Sequence, residues 1–278
     1  MTEADFLALL RPLATHQAAR GLTDDAAVLG DLVLTHDMLV EGVHFLLGDP
    51  PEDVAWKLVA VNLSDLAAKG ATPIGVLLGY PLSDDAWDAA FVRGLGEALA
   101  HFDVALLGGD TVKGPRVLSL TAIGRSPIAP SRSGARAGDS LWVTGVIGRA
   151  GLGLAGDAAH LEAYRRPTPR LAEGRALAPL VTGMMDVSDG LLIDARRMAD
   201  ASGLRVTIDL DAVPVVGERI AALTAGDDYE LLFSLPGGVR PPVPASQIGS
   251  FETGAGIALI DKNGAVALPE RLGWMHGG

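Results

Sequence analysis

Hydrophobic positions along this chain alternate between two periods, and the switches mark its elements. Over 53–69 the residues Val54, Leu58, Val61 and Leu66 form the stripe of a buried helix face. Pro51, Glu52 and Asp53 suit the first turn of that helix, and Lys69-Gly70, with Pro73 beyond, its end. On the same helix Asn62, Asp65 and Lys69 share a second face, at i, i+3 and i+7. Phe6, Leu9, Leu10 and Leu13 predict a helix over 6–19 that Pro12 interrupts. Ser83 caps another that runs to Phe102, with Asp84 and Asp85 in its first turn. Two more helices are expected over 170–180 and 191–201, the second ended by Gly203.

Strand-length apolar runs lie at 26–29 and 32–35 around a Gly30-Asp31 turn, and at 74–78, 104–107, 117–123, 141–144, 184–187, 205–210 and 231–235. The stretch 248–260 reads as a hairpin turning at Gly254-Ala255-Gly256, and 261–264 as a further turn. Pro, Ser and Gly residues make 127–138 a linker. The expected organisation is an α+β unit over 1–130, two helices laid on one face of its paired strands, and an α/β unit over 131–278.

With 278 residues, 49% of them hydrophobic, the chain can fill a sizeable core. A net charge of −12 argues against general nucleic-acid binding, which needs basic surface. The absence of Cys excludes disulfides, thiolate metal sites and thiol nucleophiles. The acidic N-terminus lacks the features of a signal peptide, and no apolar run reaches the ~18 residues of a membrane span, so the expected location is cytoplasmic.

The candidate chemistry lies in aspartates set in short motifs: Asp24-Asp25, Thr35-His36-Asp37, Asn62-Leu63-Ser64-Asp65, Gly108-Gly109-Asp110-Thr111 and Asp186-Val187-Ser188-Asp189-Gly190. Carboxylates that converge repel one another and stay ionised together only with cations between them. Hard oxygen donors without Cys favour Mg²⁺ over zinc. Several such ions suit an anionic substrate such as a nucleoside triphosphate, so the motifs point to phosphoryl transfer. Each motif alone also has a plainer reading. Asp65 could face solvent, Asp24-Asp25 could be a loop pair, and 108–111 could be a β-turn whose glycines admit a phosphate. In 186–190, Ser188 and free helix-start amides suit phosphate oxygens while Asp186 and Asp189 suit Mg²⁺; the alternative is Asp189 as an N-cap. The glycines of 145–156 fit no dinucleotide fingerprint and read as a tight strand-to-helix turn, and no P-loop occurs. His44 by itself reads as structural, and Trp274 as a hydrophobic pin for the tail. No covalent nucleophile constellation is present.

In order along the chain, Asp24-Asp25-Ala26-Ala27-Val28, Thr35 to Phe45, Val61 to Ala71, Gly108-Gly109-Asp110-Thr111, Arg132-Ser133-Gly134-Ala135, Asp186 to Leu191 and Gly226-Asp227-Asp228-Tyr229-Glu230-Leu231 resemble the bacterial thiamine-monophosphate kinases. That family sits within the aminoimidazole-ribonucleotide-synthetase-like superfamily. The resemblance implies a two-domain fold of that type, with an N-terminal α+β domain whose sheet dimerises and a C-terminal α/β domain. It implies transfer of the γ-phosphoryl group of ATP to thiamine monophosphate, with several Mg²⁺ ions, by a homodimer with no nucleic-acid or membrane partner. It carries Asp25, Thr35, His36, Asp37, Asp65, Asp110, Asp186 and Asp189 over as metal ligands. Gly109, Asp110, Arg132 and Ser188 become nucleotide contacts, and His44, Asp227 and Trp274 thiamine contacts. Three features depart from the family pattern: His36 stands where Thr is frequent, Asp227 where Glu is common, and the tail around Trp274 is short. The alternatives are another ATP-dependent enzyme of the superfamily, such as the purine cyclo-ligase, or a binding protein without turnover.

Overall fold

The structure is a computed structural model that describes residues 1–275. The first unit opens with α1 (Glu3–Leu10), β1 (Ala27–Leu29), β2 (Leu32–Val40), α2 (Pro51–Ala68), β3 (Thr72–Leu82), α3 (Asp85–Phe102), β4 (Ala105–Lys113) and β5 (Val117–Arg125). The second has β6 (Ser140–Thr144), α4 (Arg149–Leu154), α5 (Leu161–Arg165), α6 (Leu171–Leu177), β7 (Gly183–Asp186), α7 (Leu191–Ser202), β8 (Leu204–Asp209), α8 (Arg219–Ala225), β9 (Leu231–Leu235), β10 (Ala245–Thr253), β11 (Gly256–Asp261) and β12 (Gly264–Val266). The strands form a five-stranded sheet, β1-β2-β5-β3-β4, and a seven-stranded sheet, β12-β11-β8-β10-β6-β9-β7. No helix among the described residues is long and apolar enough to cross a membrane.

Helix α2 holds the two sheets together. It packs on α3, β2 and β5 in the first unit and on α6 and β7 in the second. Val54, Leu58 and Leu63 join the first core, and Ala67 and Ala68 join a cluster with Trp142, Met184 and Phe233 of the second sheet. A helix covered on all sides takes its polar residues inside with it: Lys57, Asn62, Ser64 and, at the C-cap, Lys69 are buried. The face of Asn62, Asp65 and Lys69 therefore looks inward, not to solvent.

Five expectations are corrected. Helix α3 is capped by Asp84, whose carboxylate accepts from the Trp87 amide at 2.9 Å, and not by Ser83. The first helix stops at Leu10 and continues as 3₁₀ turns over 11–13 and 17–22, because Pro12 cannot donate to an α-helical ladder; a Thr2–Asp5 capping box starts it earlier than expected. Thr35, His36 and Asp37 lie in the middle of β2, which runs on to Val40. Gly108-Gly109-Asp110 is not a turn but the centre of β4, where φ of +153° and +151° gives the glycines an extended path that favours Gly; the chain reverses at 114–116 instead. The stretch 248–260 is not a hairpin either. β10 pairs antiparallel and β11 parallel with opposite sides of β8, so β8 lies between them. The turns at Gly30-Asp31 and 261–264 are hairpins, between β1 and β2 and between β11 and β12.

Candidate active site

The carboxylates gather where α2 meets the second sheet. Asp25, Asp65 and Asp186 offer oxygens that all lie within 4.8 Å of one another. Each comes from a different element: the loop before β1, the last turn of α2 and the end of β7. At that separation two unit charges repel by roughly 3 to 4 kcal/mol at an effective dielectric near 20. Asp65 accepts from the Thr35 hydroxyl, and Asp186 accepts from Ser64 Oγ at 2.6 Å. Asp37 is steered by its amide, which donates to Asn62 Oδ1 at 3.0 Å.

The electrostatics divide the cluster in two. Burial, then the charges of Asp25 and Asp189, raise the Asp37 carboxyl to about 6. Burial and Asp25 raise Asp186 to about 8, and burial with Asp37, Asp186 and Asp25 pushes Asp65 well up. Burial works against ionisation of Asp25 as well, yet Arg132 and Lys69 beside it hold its carboxyl far below the usual range. Lys69 Nζ is 2.8 Å from Asp25 Oδ2 and also pairs with Asp24. The Arg132 guanidinium meets the other oxygen of Asp25, and its Nε is buried with no partner among the described residues.

The loop 186–190 differs from its expected form. The Ser188 and Asp189 amides both donate to Asp194 Oδ2, at 3.1 and 3.0 Å, so an internal carboxylate already occupies them. Asp189 is no N-cap: Gly190 takes that place without a side-chain bond, and the Asp189 carboxylate pairs with Arg197. Beside this loop lies the segment 226–229. The Asp227 amide donates to the Ser188 carbonyl at 2.7 Å and that of Tyr229 to Val187 at 2.8 Å. Asp227 and Tyr229 hold φ of +62° and +50°, a strained path. The tail closes on the same loop, with the Trp274 amide 2.8 Å from the Asp189 carbonyl.

Asp227 and His44 are joined by Lys57. Its Nζ donates to Asp227 Oδ2 at 2.7 Å and to the His44 carbonyl at 3.0 Å, and lies 4.1 Å from the centre of the Tyr164 ring. The His44 ring accepts from the Val40 amide at 3.0 Å.

Two expected ligands stand apart. Residues that pair across a sheet share a face. Asp110 is level with Gly79, Ser119 and Met38, whereas Thr35 and Asp37 alternate onto the side that packs on α2. Asp110 is exposed on the outer face of the first sheet, and so is His36, whose Nδ1 is 2.8 Å from Thr121 Oγ1. Within one chain neither side chain joins the cluster. Gly109 is on the same edge strand.

Sequence reasoning missed Lys57, Lys69, Asp194 and Arg197 as parts of this site. The two lysines carried a signal: each is a cation in a helix otherwise covered by apolar neighbours. Asp194 carried none, because its role depends on a loop reversing over the start of α7.

The family AIR synthase related protein, N-terminal domain, matches residues 23–126, and its C-terminal-domain counterpart matches 136–273. The fold and site thus define a two-domain protein of the AIR-synthase-related class. A curated thiamine-monophosphate kinase of Caulobacter vibrioides is 42% identical over 99% of this chain and 91% of its own. The solved complex of AaThiL with AMPPCP and TMP superposes with a TM-score of 0.87 at 30% identity, covering 99% of this chain and 97% of that one. The thiamine-monophosphate kinase of Stenotrophomonas maltophilia gives 0.77 at 34% identity, with 92% and 94% covered. The chain belongs to the thiamine-monophosphate kinase family.

Proposed function

We propose that this chain transfers the γ-phosphoryl group of ATP to thiamine monophosphate, giving thiamine diphosphate and ADP. The observation that carries the reading is the hydrogen-bonded run of 186–189, 226–229 and Trp274. It sets the carboxylate cluster beside Asp227, which Lys57 ties to His44. Both substrates are anions, so their approach is opposed by charge. The acceptor phosphate is already ionised at neutral pH and needs no strong base. Its oxygen attacks the γ-phosphorus in line while the bond to ADP breaks, with no covalent enzyme intermediate.

Asp25, Asp37, Asp65, Asp186 and Asp189, with Thr35, are the residues that would hold Mg²⁺. The fit is physical: crowded hard oxygens, with the Asp37, Asp65 and Asp186 carboxyls raised first by burial and then by the charges of neighbouring carboxylates, Asp25 among them in each case. Bound there, Mg²⁺ supplies charge neutralisation between the two phosphates. Among the described residues, Arg132 carries the one buried guanidinium nitrogen left without a partner, a donor suited to a nucleotide phosphate. Ser188 borders the same loop. His44, Asp227 and Trp274 line the thiamine side. With the domain division at 130/131, Arg132 opens the second domain and reaches back to Asp25 of the first.

Asp110, Gly109 and His36 enter the reading through a homodimer. Edge strand β4 is exposed throughout, and Met38, Leu77, Leu106 and Val112 are bare on the first sheet. A second copy covering that sheet would bring these residues to a neighbouring cluster.

ADP release measured with and without thiamine monophosphate tests the function. Strong stimulation is expected; its absence would remove the reading. Acid-quenched pulse labelling with γ-labelled ATP tests the mechanism, and a labelled protein band would rule out direct transfer.

A further inference from the structure

We propose that Lys69 is a resident cation of the carboxylate cluster, standing at its Asp24/Asp25 end where a further divalent ion would otherwise bind. The inference rests on the reading of the cluster as a divalent-cation site. Lys69 is wholly buried at the C-cap of α2. Its ammonium donates to the Asp24 carboxylate, to Asp25 Oδ2 at 2.8 Å and to the Met184 carbonyl at 3.2 Å. All three donors are thereby used, and every partner is oxygen, the donor set that a hard metal ion takes.

The placement is as telling as the set. Met184 lies on β7, the strand that ends in Asp186, and Asp24 and Asp25 belong to the first unit. The ammonium thus bridges the two units at the buried Asp24/Asp25 end of the cluster. The Arg132 guanidinium engages the remaining oxygen of Asp25. Asp25 therefore has a cation on each oxygen. Asp65 and Asp186 have hydroxyl partners instead, from Thr35 and Ser64. Charge is balanced at one end of the cluster by the protein itself and left open at the other. A lysine here is a costly filler: an apolar chain of similar length would occupy the space without desolvating an ammonium. Such a chain would leave Asp24 with Arg20 alone and Asp25 with Arg132 alone, each short of one of its two cations.

The test is Lys69→Met, an unbranched replacement of similar length, with Lys69→Arg as the charge-keeping control. Mn²⁺ binding is counted with AMPPCP present, by calorimetry or electron paramagnetic resonance. The expected result is one more Mn²⁺ per chain in K69M than in the parent, with K69R unchanged. Melting supplies a second readout. K69M should melt below the parent in EDTA and regain most of the loss in excess Mg²⁺, while the parent moves less. If K69M does not fold in EDTA, it should fold when Mg²⁺ is added. An unchanged ion count in folded K69M, or a folding defect that Mg²⁺ leaves in place, overturns the inference. A parent protein that binds no Mn²⁺ at all would remove the metal reading itself and this inference with it.

Discussion

At the scale of single residues, the site holds more negative charge than its own cations balance. Asp37 and Asp186 keep protons to about 6 and about 8 when no cation is bound. Their folded values lie above the unfolded ones, so their contribution to stability is complete in acid and is lost as pH rises through the folded values. Asp25 acts in the opposite sense, and only at strongly acid pH. The cation-free protein should therefore lose stability as pH rises from the ordinary carboxylate range, near 3.8, to about 8, with the Asp37 share gone by about 6. Melting curves in EDTA across that window check this, and added Mg²⁺ should flatten the trend. Lys57 gives a second outcome. Lys57→Met removes the tie between His44 and Asp227, so the KM for thiamine monophosphate should rise by about tenfold or more, as for loss of a charged hydrogen bond. The KM for ATP should stay near its original value, and steady-state kinetics with each substrate varied in turn separates the two.

At the scale of elements, the packing of α2 against α6 sets how the two sheets meet. A Cβ on Gly174 would lie 2.0 Å from the Ala67 carbonyl oxygen, and one on Gly70 would lie 2.4 Å from Ala178 Cβ. Gly174→Ala should push α6 away from α2 and cost about 1–3 kcal/mol, read as a lower urea midpoint. Much of this level was legible in the chain. Helices α2, α3 and α7 follow from their periodicity, and the hairpins at Gly30-Asp31 and 261–264 from their turn residues, but the cap of α3 falls on Asp84 and not on Ser83. The illegible parts share a cause. Two glycines before an aspartate look like a turn, yet an exposed edge strand accommodates them equally well. Two apolar runs joined by Gly-Ala-Gly look like a hairpin, yet which strand stands between them is decided by distant pairing with β8. Among site residues, the inward ones were readable as motifs. The side of the sheet on which Asp110 falls was not, because it depends on a register shift between β3 and β4.

At the scale of the whole molecule, the outward position of Asp110 has a direct test. Asp65→Asn and Asp110→Asn proteins should each be nearly inactive. If Asp110 serves the cluster of a second copy, mixing the two after partial unfolding and refolding should restore activity, because half of the sites in a mixed dimer carry both wild-type aspartates. Sites complete within one chain would give no recovery. Strand β8 has a consequence of another kind. Both of its neighbours, β10 and β11, come later in the chain. During synthesis the ribosome releases β8 with neither flank filled, and the backbone groups on both its sides wait for residues beyond 245. Closure of the second sheet is thus a late, long-range event, and nascent chains halted before Asp261 present an open seam to chaperones.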